Sequence, residues 1–143
     1  MVALVACALV FNTTLAQHEV FSKSNEAIRG YDPVAYFKES MPVKGKKEFS
    51  YSWKGGIWLF SNQENLNDFK NNPEKFAPQF GGYCAYGVAD GHKASTSPDA
   101  WTVFDDKLYL NYNQDVRELW RKDQSGYIKK AHENWPKVKL ETD

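Results

Sequence analysis

The same order of patterns occurs twice in this chain: two short strands around a turn, followed by a helix. The strands are predicted over residues 49–53 and 57–60 in the first stretch, and over residues 101–104 and 107–110 in the second. Lys54-Gly55-Gly56 separates the first pair and Asp105-Asp106 the second, and turn residues between such runs are typical of a β-hairpin. A hairpin alone leaves an apolar face exposed, so each one must pack against another element.

A shift of 51 residues aligns the two stretches. It places Ile57-Trp58-Leu59 on Leu108-Tyr109-Leu110, Asn62-Gln63-Glu64 on Asn113-Gln114-Asp115, and Phe69 on Trp120. We therefore predict an α+β fold in which two small antiparallel β-hairpin plus helix units pack into one compact domain. A length of 143 residues suits one domain.

Capping residues and prolines predict the helix boundaries. Asp32-Pro33 predicts the start of a short helix, because aspartate accepts hydrogen bonds from free amides and proline fits the first turn. Ser61 and Glu64 form a capping box for a helix that ends at Asn71-Asn72-Pro73. A last helix is predicted over residues 127–134, ending before a proline.

Composition divides the chain into four segments. Residues 1–16 read as a signal peptide, and the polar, weakly patterned residues 17–29 predict an N-terminal tether. Residues 30–136 are predicted to form the folded domain, and residues 137–143 a C-terminal tail.

The first sixteen residues contain no charged side chain, and their apolar run is followed by Thr14-Leu15-Ala16. This run is too short to span a bilayer but is typical of a secretory signal cleaved after Ala16. We expect an exported protein, periplasmic or extracellular. One alternative is a lipoprotein, because Leu4-Val5-Ala6-Cys7 resembles a bacterial lipobox with Cys7 as the lipidated residue. The other alternative is an apolar N-terminal helix of a cytosolic protein.

The charge balance and the absence of catalytic motifs limit the classes of function. Eighteen basic and eighteen acidic residues give a formal net charge of zero, so no strong field attracts nucleic acid or anionic membranes. We predict no nucleic-acid partner and no membrane span, and the sequence does not identify a protein partner. The chain also contains no Gly-x-Ser-x-Gly, His-Glu-x-x-His or Cys-x-x-Cys motif. We therefore predict a binding module rather than an enzyme.

Three motifs in the first half resemble those of a known family. They are Gly30-Tyr31-Asp32-Pro33-Val34, the aromatic hairpin over residues 51–61, and Phe69-Lys70-Asn71-Asn72-Pro73-Glu74-Lys75-Phe76. In this order they resemble the YHS domain, a small module often carried by metal-handling proteins. The resemblance implies cysteine at three positions that here hold Ala35, Ser61 and Asn65. We therefore expect no thiolate-rich metal centre in this half. When residues 80–93, 109–113 and 134–136 are considered with these motifs, the chain resembles a longer exported subgroup of YHS-like proteins.

Residues 80–93 contain the densest group of residues suited to a site. Gly81, Gly82, Gly87 and Gly91 permit close approach of backbone to backbone or to a ligand. The candidate ligand-binding residues are Tyr83, Cys84, Tyr86 and, flanking the segment, Trp101. Cys84 and His92 are candidate ligands of a metal ion, for which copper or zinc is suitable. Two alternatives remain for Cys84: a buried structural side chain beside a polar loop histidine, or a reactive thiol.

Three functions therefore remain open. The first, by resemblance to metal-associated relatives, is the binding of a metal ion or small ligand at the 81–93 segment. The second is a structural or protein-interaction module of the cell envelope. The third is a thiol-based redox protein that uses Cys84, which would be the single cysteine of the chain after cleavage at Ala16.

Overall fold

A computed structural model describes residues 19–142, and the predicted signal peptide with Cys7 lies outside the described residues. The strands are β1 (Ser22–Lys23), β2 (Glu26–Ala27), β3 (Lys46–Trp53), β4 (Gly56–Phe60), β5 (Trp101–Phe104) and β6 (Lys107–Leu110). The helices are α1 (Ala35–Lys38), α2 (Gln63–Asn71), α3 (Pro73–Phe76), α4 (Ala85–Ala89), α5 (Gln114–Arg121) and α6 (Gln124–Val138). Consecutive strands pair as two-stranded antiparallel sheets within one compact domain, which confirms the predicted α+β class.

Both predicted hairpins are present. The β5–β6 hairpin has the predicted bounds, whereas β3 begins earlier than predicted, at Lys46. Lys54 and Gly55 have φ values of 49° and 77°, and Asp105 and Asp106 have 52° and 58°. Positive φ at both central residues is what a two-residue type I′ turn requires, and this turn matches the twist of the strands it joins.

The two units have equivalent helix caps. The side chain of Asn62 accepts the backbone N–H of Asn65 at 2.8 Å, and that of Asn113 accepts the N–H of Val116 at 2.9 Å. The predicted Ser61–Glu64 capping box is therefore wrong, because Asn62 is the N-cap of α2. Each unit also begins with a short helix, since α1 precedes the first hairpin and α4 the second.

Helix α6 is longer than predicted. It runs through Pro136 to Val138, and the N–H of Lys139 donates to the carbonyl of Trp135 at 2.9 Å. A proline inside a helix removes one hydrogen bond. The extra turn nevertheless buries Val138, which is 2% exposed. The predicted tail from residue 137 is therefore partly helical. No helix within residues 19–142 is long and apolar enough to cross a membrane.

The segment predicted as a tether is packed from residue 19 onward. Val20, Phe21, Ala27 and Ile28 are buried, and β1 and β2 pair around a turn at Ser24-Asn25. Both turn residues have positive φ. Because they are polar, the sequence pattern did not indicate this small hairpin or the burial of the apolar residues beside it.

The core consists of two hydrophobic clusters. The first contains Trp58, Phe60 and Phe69, all fully buried, and belongs mainly to the first unit. The second contains Tyr109 and Trp120 and is closed by α4 and α6. The aromatic side chains of the two units thus divide between two clusters, and Phe49 and Trp53 pack partly buried against the first.

Candidate functional site

The carboxylate of Asp32 is fully buried in the first unit. Its Oδ1 accepts the backbone N–H groups of Val34 and Ala35 at 2.9 and 3.3 Å, which places Asp32 at the start of the predicted short helix. Its Oδ2 accepts the N–H and hydroxyl of Ser61 at 2.9 and 2.8 Å, and the side-chain amide of Asn65 at 2.8 Å. Five donors therefore surround one carboxylate, and their dipoles stabilise its negative charge.

These contacts involve every position at which the family resemblance implies cysteine. Ala35 contributes its backbone N–H, and Ser61 and Asn65 contribute side-chain donors to the same Asp32 carboxylate. A zinc or copper centre of the thiolate type needs soft sulfur ligands. The residues at these positions therefore do not fit such a metal. Within residues 19–142, no three His, Cys, Asp or Glu side chains lie close enough to share an ion.

Cys84 lies at the start of α4 and is 1% exposed. Its Sγ is 3.5 Å from the side-chain oxygen of Asn111 and accepts the N–H of Tyr112 at 3.2 Å. Burial raises the pKa of the thiol above its ordinary value, while hydrogen bonds from the N–H groups of Gly87, Tyr112 and Tyr86 oppose the rise. The protonated thiol is the favoured form, which a reactive cysteine would not have.

Cys84 occupies the place in the second unit that Asp32 has in the first. Each precedes a short helix and is surrounded by the N–H groups of the residues two and three positions later. Each also accepts an N–H from just beyond the returning strand, that of Ser61 for Asp32 and that of Tyr112, 51 residues later, for Cys84. The polar centre of a unit is therefore a carboxylate in one case and a sulfur atom in the other.

His92 lies at the surface, apart from the contacts of Cys84. Its Nε2 is 3.3 Å from a carboxylate oxygen of Asp90, and its Nδ1 is 3.2 Å from the carbonyl of Lys93. The sulfur and the imidazole thus make their hydrogen bonds to different residues. The metal pair of Cys84 and His92 stays a prediction.

The three aromatic candidates pack in different surroundings. Tyr83 is buried in the second cluster, where its ring centroid is 6.3 Å from that of Trp135. Tyr86 is half-buried with its ring 5.1 Å from that of Tyr127. Trp101 packs against the first cluster instead. The three rings therefore pack against two different clusters.

A cavity of about 150 Å³, which we call the junction cavity, lies where the two units meet. Its aromatic lining consists of Trp53, Trp58, Phe80 and Trp135, and its polar lining of Glu19, Lys54, Glu74, Gln79 and His132. The ring centroids of Trp53 and Trp58 are 6.1 Å apart, and those of Phe80 and Trp135 are 6.0 Å apart. One aromatic pair therefore comes from the first hairpin and the other from the second cluster.

A glycine in the predicted segment helps to form this cavity. Gly81 has a φ of 64°, and a Cβ at this position would overlap the carbonyl of Glu19. The N–H of Phe21 donates to the carbonyl of Gly81 at 2.9 Å. The N-terminal residues therefore lie directly across the 3₁₀ turn Gln79–Gly82, and Glu19 reaches the cavity wall.

Two ion pairs lie at the edge of the cavity. The Nζ of Lys54 is 3.3 Å from Oε1 of Glu74 and 4.7 Å from the centroid of the Trp53 ring. Oε1 of Glu19 is 3.7 Å from Nζ of Lys139. These side chains are partly exposed, so the pairs contribute little to stability, but they set the charges that a ligand would meet.

Sequence reasoning missed the junction cavity. The hairpin pattern alone places Trp53 and Trp58 on strands, and His132 falls within a predicted helix. The cavity depends on how the first hairpin meets α6, more than seventy positions later in the chain. The one local signal was Trp135, a large aromatic side chain near the end of a polar helix.

Replacing the buried carboxylate tests its structural role. Asp32→Asn keeps the shape but turns one acceptor into a donor that faces existing donors, so the free energy of unfolding should fall by about 3 kcal/mol. The matched change Asp68→Asn removes a surface ion pair with Lys38 and should cost less than about 1 kcal/mol. Urea denaturation measures both, and equal losses would contradict the role of Asp32.

The raised pKa of Cys84 makes a prediction for alkaline stability. The buried thiol contributes its full stabilisation of the folded state below the ordinary thiol pKa of 9.0. This stabilisation is lost as pH rises further, because the thiol ionises first in the unfolded chain. The loss is at most about 1.4 kcal/mol per pH unit. Wild type should therefore lose more stability than Cys84→Ser, in which the hydroxyl does not titrate there. Tyr36 and Tyr109 also have raised pKa values, but they are common to both proteins. Parallel curves would contradict the prediction.

The family model of the YHS domain matches residues 34–80, about a third of the chain. This range contains α1, the first hairpin, α2 and α3, and the second unit lies beyond it. A search of the curated proteins and of the solved structures found no match. The predicted resemblance is therefore confirmed for residues 34–80, which match the YHS family, and the carboxylate of Asp32, two residues before this range, accepts hydrogen bonds from Ser61 and Asn65 within it.

Proposed function

We propose that this YHS protein is an exported binding module that holds a small organic molecule in the junction cavity. The main support for this proposal is the cavity of about 150 Å³, whose walls contain aromatic rings from both units. A cavity of about this volume has room for a chemical group of about the size of benzene. Sites for small molecules are typically concave, largely apolar and equipped with a few polar groups.

The alternatives have less support. Metal binding by Cys84 and His92 would need the buried sulfur to give up its contacts with Asn111 and Tyr112. The raised pKa of the same thiol speaks against a redox role, since the thiolate is the reacting form. A structural or protein-interaction module of the cell envelope would not use the cavity for binding.

The tryptophan side chains provide a direct test of ligand binding. Of the five tryptophans, Trp53, Trp58 and Trp135 line the cavity, whereas Trp101 and Trp120 do not. A panel of small organic compounds should contain binders that shift the indole N–H signals of the first three in NMR spectra and leave the other two in place. Shifts in all five, or in none, with every compound of the panel would contradict the proposal.

Export is the second part of the proposal, and the charge-free residues 1–16 support it. Protein recovered from its native host should begin near Gln17, or at a lipidated Cys7 in the alternative form. Intact mass measurement distinguishes these products. Recovery of cytosolic protein that retains Met1 would contradict both.

A further inference from the structure

We infer that the ligand of the junction cavity is a small organic cation of the ammonium class; this inference rests on the proposed function and specifies its ligand. The first ground is the aromatic wall. Trp58 is fully buried, whereas Trp53 and Trp135 are partly buried and keep accessible ring surface in the cavity lining. The faces of indole rings carry negative charge density and attract ammonium groups within about 6 Å.

The second ground is the charge of the polar lining. Glu19 and Glu74 contribute two carboxylates to the cavity, while Lys54 contributes one ammonium group. Each carboxylate is paired with a lysine, Glu74 with Lys54 and Glu19 with Lys139, so an ammonium ligand would replace a lysine at one of them. An anionic ligand would meet carboxylates and ring faces that both repel it.

The third ground is an ammonium group that the protein already holds at this place. The Nζ of Lys54 lies 4.7 Å from the centroid of the Trp53 ring and 3.3 Å from the Glu74 carboxylate. A ring face and a carboxylate are thus combined in the way that recognises an ammonium ion. Lys54 is partly exposed, at 46%, so its head group can move into water and leave the ring to a ligand.

The test compares choline with 3,3-dimethylbutan-1-ol, a neutral compound of nearly the same shape. We expect choline to shift the indole signals of Trp53, Trp58 and Trp135 in the full-length protein, and the alcohol to bind more weakly by about two- to fivefold or more. Glu19→Gln should weaken choline binding and leave binding of the alcohol unchanged. Glu133→Gln, a change on α6 outside the cavity lining, is the matched control and should alter neither.

A gain-of-affinity variant excludes an effect of misfolding. Lys54→Asn removes the competing ammonium group, and asparagine tolerates the positive φ of 49° at this turn position. The variant should bind choline more tightly than wild type and bind the alcohol equally. If the alcohol binds at least as tightly as choline in both proteins, the cation inference is wrong and the binding function stands. If neither compound nor any member of the panel shifts the three indole signals, both are wrong.

Discussion

The buried carboxylate of Asp32 is the constraint on which the first unit depends. It joins the start of α1 to two elements about thirty residues later, the residue after β4 and helix α2 through Asn65. A buried charge is tolerated only where donors surround it, so these elements can move apart only by exposing an uncompensated carboxylate. The aromatic cluster supplies most of the apolar burial, but the carboxylate fixes the positions of the elements around it.

The second unit builds the same arrangement around sulfur. Cys84 accepts the N–H of Tyr112 and lies 3.5 Å from the oxygen of Asn111, and burial keeps its thiol protonated. A thiol is a weaker acceptor than a carboxylate but costs far less to bury. The second unit therefore has a weaker polar centre than the first, and this centre needs fewer hydrogen-bond donors. A structural role of this kind explains why Cys84 is buried, and it requires no reactive thiol.

The sequence predicted what depends on local order and missed what depends on distant contacts. The hairpins, the start of α1 and the equivalence of the two units follow from turn residues, capping residues and a 51-residue shift, and all are present. Asn62 rather than Ser61 caps α2, because Ser61 is directed to Asp32, twenty-nine residues earlier. The packing of the segment predicted as a tether and the junction cavity were missed for the same reason, because both depend on contacts between distant parts of the chain. The burial of Val20 depends on the first cluster, and Trp135 meets the first hairpin only in the folded chain.

The position of the cavity bears on what a ligand could do. The second hairpin contributes Leu108 and Leu110 to the first cluster, and the cavity is bounded by the first hairpin on one side and by Phe80 and Trp135 on the other. A ligand seated there contacts both units, and its binding free energy adds to the stability of the native arrangement relative to any state in which the units separate. The contact of Gly81 with Glu19 draws the N-terminal segment into the same wall. A ligand in the cavity would therefore stabilise the placement of the N-terminal residues that pack against Gly81.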